Sequence, residues 1–195
     1  MKLINILSKA SVLAIFFIGS SLLAQQDNMS MKQETTKMVG GAAMYPSKDI
    51  IANAVNSKDH TTLVAAVKAA GLVETLQGSG PFTVFAPSNK AFDKLPEGTV
   101  ATLLEPENKE KLRGVLTYHV LAGKYSAADI VSAIEKGMGK AEFTTVNGAK
   151  LSAMLKGKNV MLMDANGNNA KVTIADVNQS NGVIHVVDTV VLPGM

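Results

Sequence analysis

Two polar residues stand inside an apolar run near the end of the chain: His185 and Asp188 in NGVIHVVDTVVLP, residues 181–193. An imidazole and a carboxylate are the pieces of an acid–base pair or a metal site. Their spacing argues against both. The run reads as a strand, where side chains alternate between faces, so positions 185 and 188 point opposite ways. His185 shares a face with Val183 and Val187 and is expected to find a hydrogen-bond partner inside the fold. Asp188 is expected to accept hydrogen bonds from neighbouring backbone and close the strand near its end. Asn181-Gly182 reads as a positive-φ turn that sets the hairpin register. All four residues are therefore expected to serve structure.

Tyr118-His119, in LTYHVLAGKY, is the second candidate. At a junction from helix to strand two neighbours diverge, so one can face the core while the other lies near the surface and contacts a partner. Ser88-Asn89, in APSNKAF, read as helix-capping residues on a surface loop that can also meet a partner. A nucleophile elbow, G-x-S-x-G, is absent. A hydrolase would need His119 or His185 beside a Ser or Asp in a cleft. DANGNN (164–169) resembles half of a calcium loop, but Asn169 stands where glycine is required and Ala175 where the bidentate glutamate belongs, so it reads as a hairpin turn. The thioethers of Met29, Met31, Met38, Met44, Met161 and Met163 suit Cu(I), yet methionine is ordinary core filler. No catalytic residue, metal site or cofactor is assigned.

The composition narrows the classes further. Cysteine is absent, which removes thiol nucleophiles, disulfides and Cys–metal sites. Arg113 is the one arginine and no Lys/Arg cluster forms a stripe, so nucleic acid is not an expected partner. Residues 1–24 have a positive start (Lys2, Lys9) and an apolar stretch, SVLAIFFIGSSLL, too short for a comfortable membrane span. They read as a signal peptide cleaved after Ala24, with no stable membrane insertion afterwards. Loss of Lys2 and Lys9 takes the formal charge from +3 to about +1. The rest, about 171 residues, is long enough for a real core.

The elements that must position these residues follow from periodicity. Residues 25–45, polar and dotted with methionine, read as a flexible tether, with the folded part starting near Pro46. Helices are expected over IIANAV capped by Ser47, TTLVAAVKAA capped by Asp59 or Thr61 and ended by Gly71, NKAFDKL, TVATLL, and PENKEKLRGVLTYHV from Pro106 to Val120. Phe82 and Val84 mark a short strand. Ser126 and Asp129 have capping-box spacing before DIVSAIEKG. After residue 140 the period changes to two, with strands separated by NG, KGK, ANGNN and QSNG. Helices followed by an antiparallel meander indicate an α+β domain.

TVFAPSNKAFDKLP (83–96), LTYHVLAGKY (116–125) and NGVIHVVDTVVLP (181–193) occur in the order and spacing of the fasciclin domain family, which residues 46–193 resemble. The resemblance implies a twisted β-wedge with helices packed around it. It also implies an extracellular setting and adhesion or matrix contact as the general role. The expected function is a monomeric, exported, non-enzymatic binding module, secreted or periplasmic, that contacts a cell-surface or matrix protein or polysaccharide through Tyr118, His119, Ser88 and Asn89. The alternative, motivated by an apolar content of 47%, is a carrier of a small apolar ligand such as a pigment or lipid between helices and wedge.

Overall fold

The structure, a computed structural model, describes residues 35–194. The expected signal peptide and residues 25–34 of the expected tether lie outside the described residues.

Helix α1 (Ile50–Ala54) begins where the Asp49 carboxylate accepts the Ala52 N–H at 2.8 Å, so Asp49 rather than Ser47 caps it. A 3-10 turn, Lys58–His60, leads into α2 (Thr61–Ala69). The cap position there is His60, with no side-chain cap bond, so neither Asp59 nor Thr61 does the capping. Leu63, Ala66 and Val67 form the buried stripe of α2. Four further helices are α3 (Val73–Gln77), α4 (Asn89–Phe92), α5 (Thr99–Leu104) and α6 (Lys109–Tyr118). Helix α7 (Ala127–Lys136) opens on the expected capping box. The Ser126 hydroxyl accepts the Asp129 N–H at 3.2 Å, and the Asp129 carboxylate accepts the Ser126 N–H at 2.8 Å.

Nine strands accompany them among the described residues: β1 (Lys37–Val39), β2 (Ala42–Met44), β3 (Phe82–Pro87), β4 (Val120–Ala122), β5 (Lys140–Thr144), β6 (Lys150–Lys156), β7 (Asn159–Met163), β8 (Asn169–Gln179) and β9 (Gly182–Val187). The last five form the expected meander. Beyond it, β3 lies parallel to β9 along its whole length and antiparallel to β4, which gives a seven-stranded sheet in the order β4-β3-β9-β8-β7-β6-β5. A bridge between Leu121 and Thr145 joins the two edges and nearly closes the sheet. Alternation then sorts the central strands between two cores. Val84, Ala86, Ile184 and Val186 pack with the helical layer of α1, α2 and α6, while Phe85 and Val187 pack toward the face covered by α7. This is an α+β β-wedge surrounded by helices.

The segment expected as a tether is corrected in its second half. Strands β1 and β2 pair from Lys37–Met44 to Val39–Ala42, and Val39 and Met44 are buried in the core. The Lys37 ammonium donates to the Ala175 carbonyl. Burying the two apolar side chains contributes roughly 1.5–3 kcal/mol each. The hairpin was illegible because three-residue strands are too short to display a period.

Candidate functional site

Helix α6 delivers Tyr118 and His119 to the sheet, and neither reaches the surface. Tyr118 is fully buried and His119 is 2% exposed, which corrects the expectation that one of them contacts a partner. The helix ends at this point, so both side chains turn inward against the strands instead of diverging. The Tyr118 hydroxyl donates to the Lys150 carbonyl at 2.8 Å and accepts the Ala165 N–H at 3.2 Å. Burial pushes its pKa up and keeps it a neutral donor. His119 Nδ1 donates to the Val115 carbonyl at 2.8 Å, and Nε2 accepts the Val191 N–H at 3.2 Å. A backbone N–H can only donate, so the neutral Nδ1–H tautomer follows. Burial lowers the His119 pKa to about 4. The pair clamps the β7–β8 turn and the C-terminal segment onto α6. Asp164 adds to this clamp: its carboxylate accepts Asn166, Asn168 and Leu192 N–H groups at 2.8–3.0 Å, which makes DANGNN the expected hairpin turn.

His185 is also fully buried and stacks on Phe85 with ring centroids 5.7 Å apart. Its Nε2 donates to the Tyr125 carbonyl at 2.9 Å, and its Nδ1 accepts the Asp176 N–H at 3.3 Å. Asp188 accepts the Lys171 N–H at 2.8 Å at the mouth of the strand, and Lys94 lies 3.4 Å from its other oxygen. Burial raises the Asp188 pKa, but the Lys171 N–H, the Thr189 hydroxyl and the Lys94 ammonium outweigh it and hold the carboxyl below the usual range. His185 and Asp188 do not form a reactive pair.

Asn181-Gly182 serves differently from the expectation. Ser180 and Asn181 make the two-residue turn, and neither they nor Gly182 has a positive φ. Asn181 is a connector. Its amide oxygen accepts the Ile50 N–H at 3.0 Å, and its nitrogen donates to the Leu76 and Gly78 carbonyls at 2.8 and 2.9 Å. Glycine is required at 182 because a Cβ there would stand 2.1 Å from the Phe82 carbonyl oxygen across the parallel pair.

Ser88 and Asn89 are half-buried on the rim of an outward-facing hollow of about 370 Å³. Ser88 is the cap residue of α4 in extended backbone, without a side-chain cap bond. Asn89 ties α4 to the start of α2: its oxygen accepts the Thr62 N–H at 3.1 Å and its nitrogen donates to the Lys58 carbonyl at 2.9 Å. Asp59, Lys90, Lys94, Thr173 and Asp188 complete the polar rim, with Ile174 and Val186 on its floor. Sequence reasoning missed Lys94 and Thr173: Thr173 arrives through the pairing of β8 with β9, and Lys94, just after α4, meets Asp188 at 3.4 Å.

A second cavity of about 80 Å³ lies between the helical layer and the sheet, lined by Val39, Met44, Ile50, Leu63, Val67 and other apolar residues. His60, the histidine not singled out in the sequence, also lines it. Its Nδ1 is 2.8 Å from the Ser57 hydroxyl, while its Nε2 is buried with no hydrogen-bond partner. Among the described residues, no three His, Asp or Glu side chains gather so as to hold a metal ion, and no helix is long and apolar enough to cross a membrane.

These arrangements agree with what the chain is similar to. Protein sll1483 of Synechocystis is 47% identical over 162 residues, spanning 83% of each chain. Immunogenic protein MPB70 of Mycobacterium bovis is 35% identical, over 75% of this chain and 70% of that one. Cell surface glycolipoprotein MPB83 of the same species is 33% identical, over 78% and 64%. Among solved structures, a FAS1 domain pair from the insect cell adhesion molecule Fasciclin I superposes with a TM-score of 0.66 at 18% identity. It matches 74% of this chain, which spans 51% of that one. The Fasciclin domain profile covers residues 58–193, the stretch that holds all three motifs and both clamping histidines: the chain belongs to the fasciclin domain family.

Proposed function

We propose that this protein is an exported, non-enzymatic binding module that contacts a cell-surface or matrix protein or polysaccharide through the hollow rimmed by Ser88 and Asn89. The observation that carries the reading is the division of labour among polar side chains. His119 and His185 are buried, neutral and committed to backbone partners, which leaves them no proton to exchange with a substrate. Five outward-facing polar side chains, Asp59, Lys90, Lys94, Thr173 and Asp188, converge on one concave surface. Charges of both signs beside hydroxyl groups suit a polar partner and favour specificity over raw affinity. The names of MPB83, a cell surface glycolipoprotein, and of Fasciclin I, a cell adhesion molecule, support a surface role. The test is binding to isolated surface material of the native host. Lys90→Glu and Thr173→Arg should each weaken it at least about tenfold, and wild-type binding by both variants would refute the hollow as the contact.

A second reading is favoured by the apolar cavity: a small apolar ligand held between helices and wedge. Its volume of about 80 Å³ is below the ~150 Å³ of a cavity that admits one benzene. A whole pigment or lipid does not fit in that volume, which restricts the reading to compact molecules.

A further inference from the structure

We propose that the cavity between the helical layer and the sheet takes a compact, uncharged, mostly apolar molecule that carries one hydrogen-bond acceptor oxygen, received by the Nε2–H of His60. The inference rests on the second reading above and specifies the chemistry of its ligand. Three observations carry it. First, the wall is mostly hydrocarbon, from Val39, Met44, Ile50, Leu63 and Val67, with Ser57, Thr75, Thr117 and His119 also bordering the space. Second, His60 is 4% exposed and its Nε2 is the one buried side-chain nitrogen or oxygen among the described residues without a partner. An orphan of this kind keeps its desolvation penalty uncompensated and is therefore rare in native folds. Third, the tautomer can be deduced. The buried Ser57 hydroxyl contacts His60 Nδ1 at 2.8 Å. If Nδ1 donated, the Ser57 proton and the Nε2 lone pair would both be stranded. If Ser57 donates, only Nε2 is unpaired, and it carries the hydrogen. The orphan is thus a donor, and its complement is an acceptor.

The surroundings agree with a donor at this position. Burial lowers the His60 pKa, against smaller opposing contributions from the Asp59 carboxylate and the Ala86 carbonyl, so the ring is neutral and has one N–H to give. The Ala86 carbonyl faces the ring without completing a hydrogen bond to Nε2. The β1–β2 hairpin packs against Ser57, the hydrogen-bond partner of the ring. A Cβ on Gly40 would stand 2.3 Å from the Ser57 hydroxyl, and the Gly40 carbonyl accepts the Lys58 N–H at 3.1 Å. Hairpin residues Val39 and Met44 supply part of the same wall. A ketone, ether or alcohol of a handful of non-hydrogen atoms matches this combination, whereas a carboxylate or ammonium would pay a full desolvation penalty.

Nuclear magnetic resonance of the chain, labelled with 15N at histidine and 13C at Ile, Leu and Val methyls, tests this with two probes of similar shape, cyclobutanone and methylenecyclobutane. Cyclobutanone should shift the His60 Nε2 signal together with the methyls of Ile50, Leu63 and Val67. Methylenecyclobutane should shift the methyls alone. In His60→Leu the ratio of cyclobutanone to methylenecyclobutane affinity should fall about tenfold, the worth of one hydrogen bond. An unchanged ratio overturns the acceptor assignment and leaves the cavity reading standing. If neither probe moves the cavity methyls, both fail. Should His60→Leu not fold, the wild-type signal decides: a His60 Nε2 resonance that stays put while cyclobutanone shifts the methyls overturns the inference.

Discussion

Acidification to pH 5 should destabilise this fold, and His119 allows the size of the effect to be worked out. Its folded pKa is about 4, because burial disfavours the imidazolium, while in the unfolded chain it returns to about 6.5. The group is a base whose folded pKa is depressed, so the unfolded state binds more protons between the two values. The stabilisation is complete above about pH 6.5, falls as the pH drops, and is fully lost below about pH 4. The two pKa values give a loss of about 2 kcal/mol at pH 5 and about 3 kcal/mol at pH 4. His60 and His185 are shifted down as well, chiefly by burial, and add in the same direction. Asp188, held low in the fold, keeps its contribution above the ordinary aspartate pKa and loses it only in stronger acid, so the window from pH 7.5 to 5 reports on histidines. Urea unfolding followed by circular dichroism at these two pH values is the assay. With a slope of about 2 kcal/mol/M, His119 alone should move the midpoint down by about 1 M at pH 5. His119→Gln, which does not titrate, should lose that part of the pH dependence. A wild-type midpoint that is the same or higher at pH 5, or an undiminished drop in His119→Gln, would refute the assignment of a buried neutral imidazole.

Other perturbations have equally definite outcomes. Asn181→Ala strands the Ile50 N–H and the Leu76 and Gly78 carbonyls, and urea unfolding should register a loss of about 3 kcal/mol. Gly182→Ala places a methyl against the Phe82 carbonyl, a backbone atom with no rotamer to yield; the expected result is a loss of about 3 kcal/mol or more, seen as a lowered Tm or as failure to fold. Ser126→Ala removes half of the α7 capping box and should cost about 1 kcal/mol, with the helix otherwise retained by circular dichroism.

How far the sequence was legible depends on the range of the interactions involved. The capping box at Ser126, the turn at DANGNN and the alternation that separates His185 from Asp188 are local patterns, and each reappears in the structure. The parallel pairing of β3 with β9 joins residues 100 positions apart at Phe82 and Gly182, and nothing local announces it. That pairing explains why Gly182, read as a turn residue, instead answers to a backbone from another part of the chain. Tyr118 and His119 read as a divergent junction, but both are drawn inward because the segment after β9 bonds His119 through Val191 and the β7–β8 turn bonds Tyr118 through Ala165. His60 is illegible because a histidine at the start of a helix looks like any solvated polar residue, whereas the fold buries it to 4% exposure.

The central claim is that the motif histidines hold the body together while the hollow meets the partner. The most direct measurement is a crossed comparison of stability and of binding to surface material of the native host at pH 7.5, for His119→Gln and Lys90→Glu. The account predicts that folded His119→Gln is less stable yet binds like wild type, and that Lys90→Glu is as stable as wild type yet binds at least about tenfold more weakly. Loss of binding in fully folded His119→Gln, with normal binding by Lys90→Glu, would contradict it.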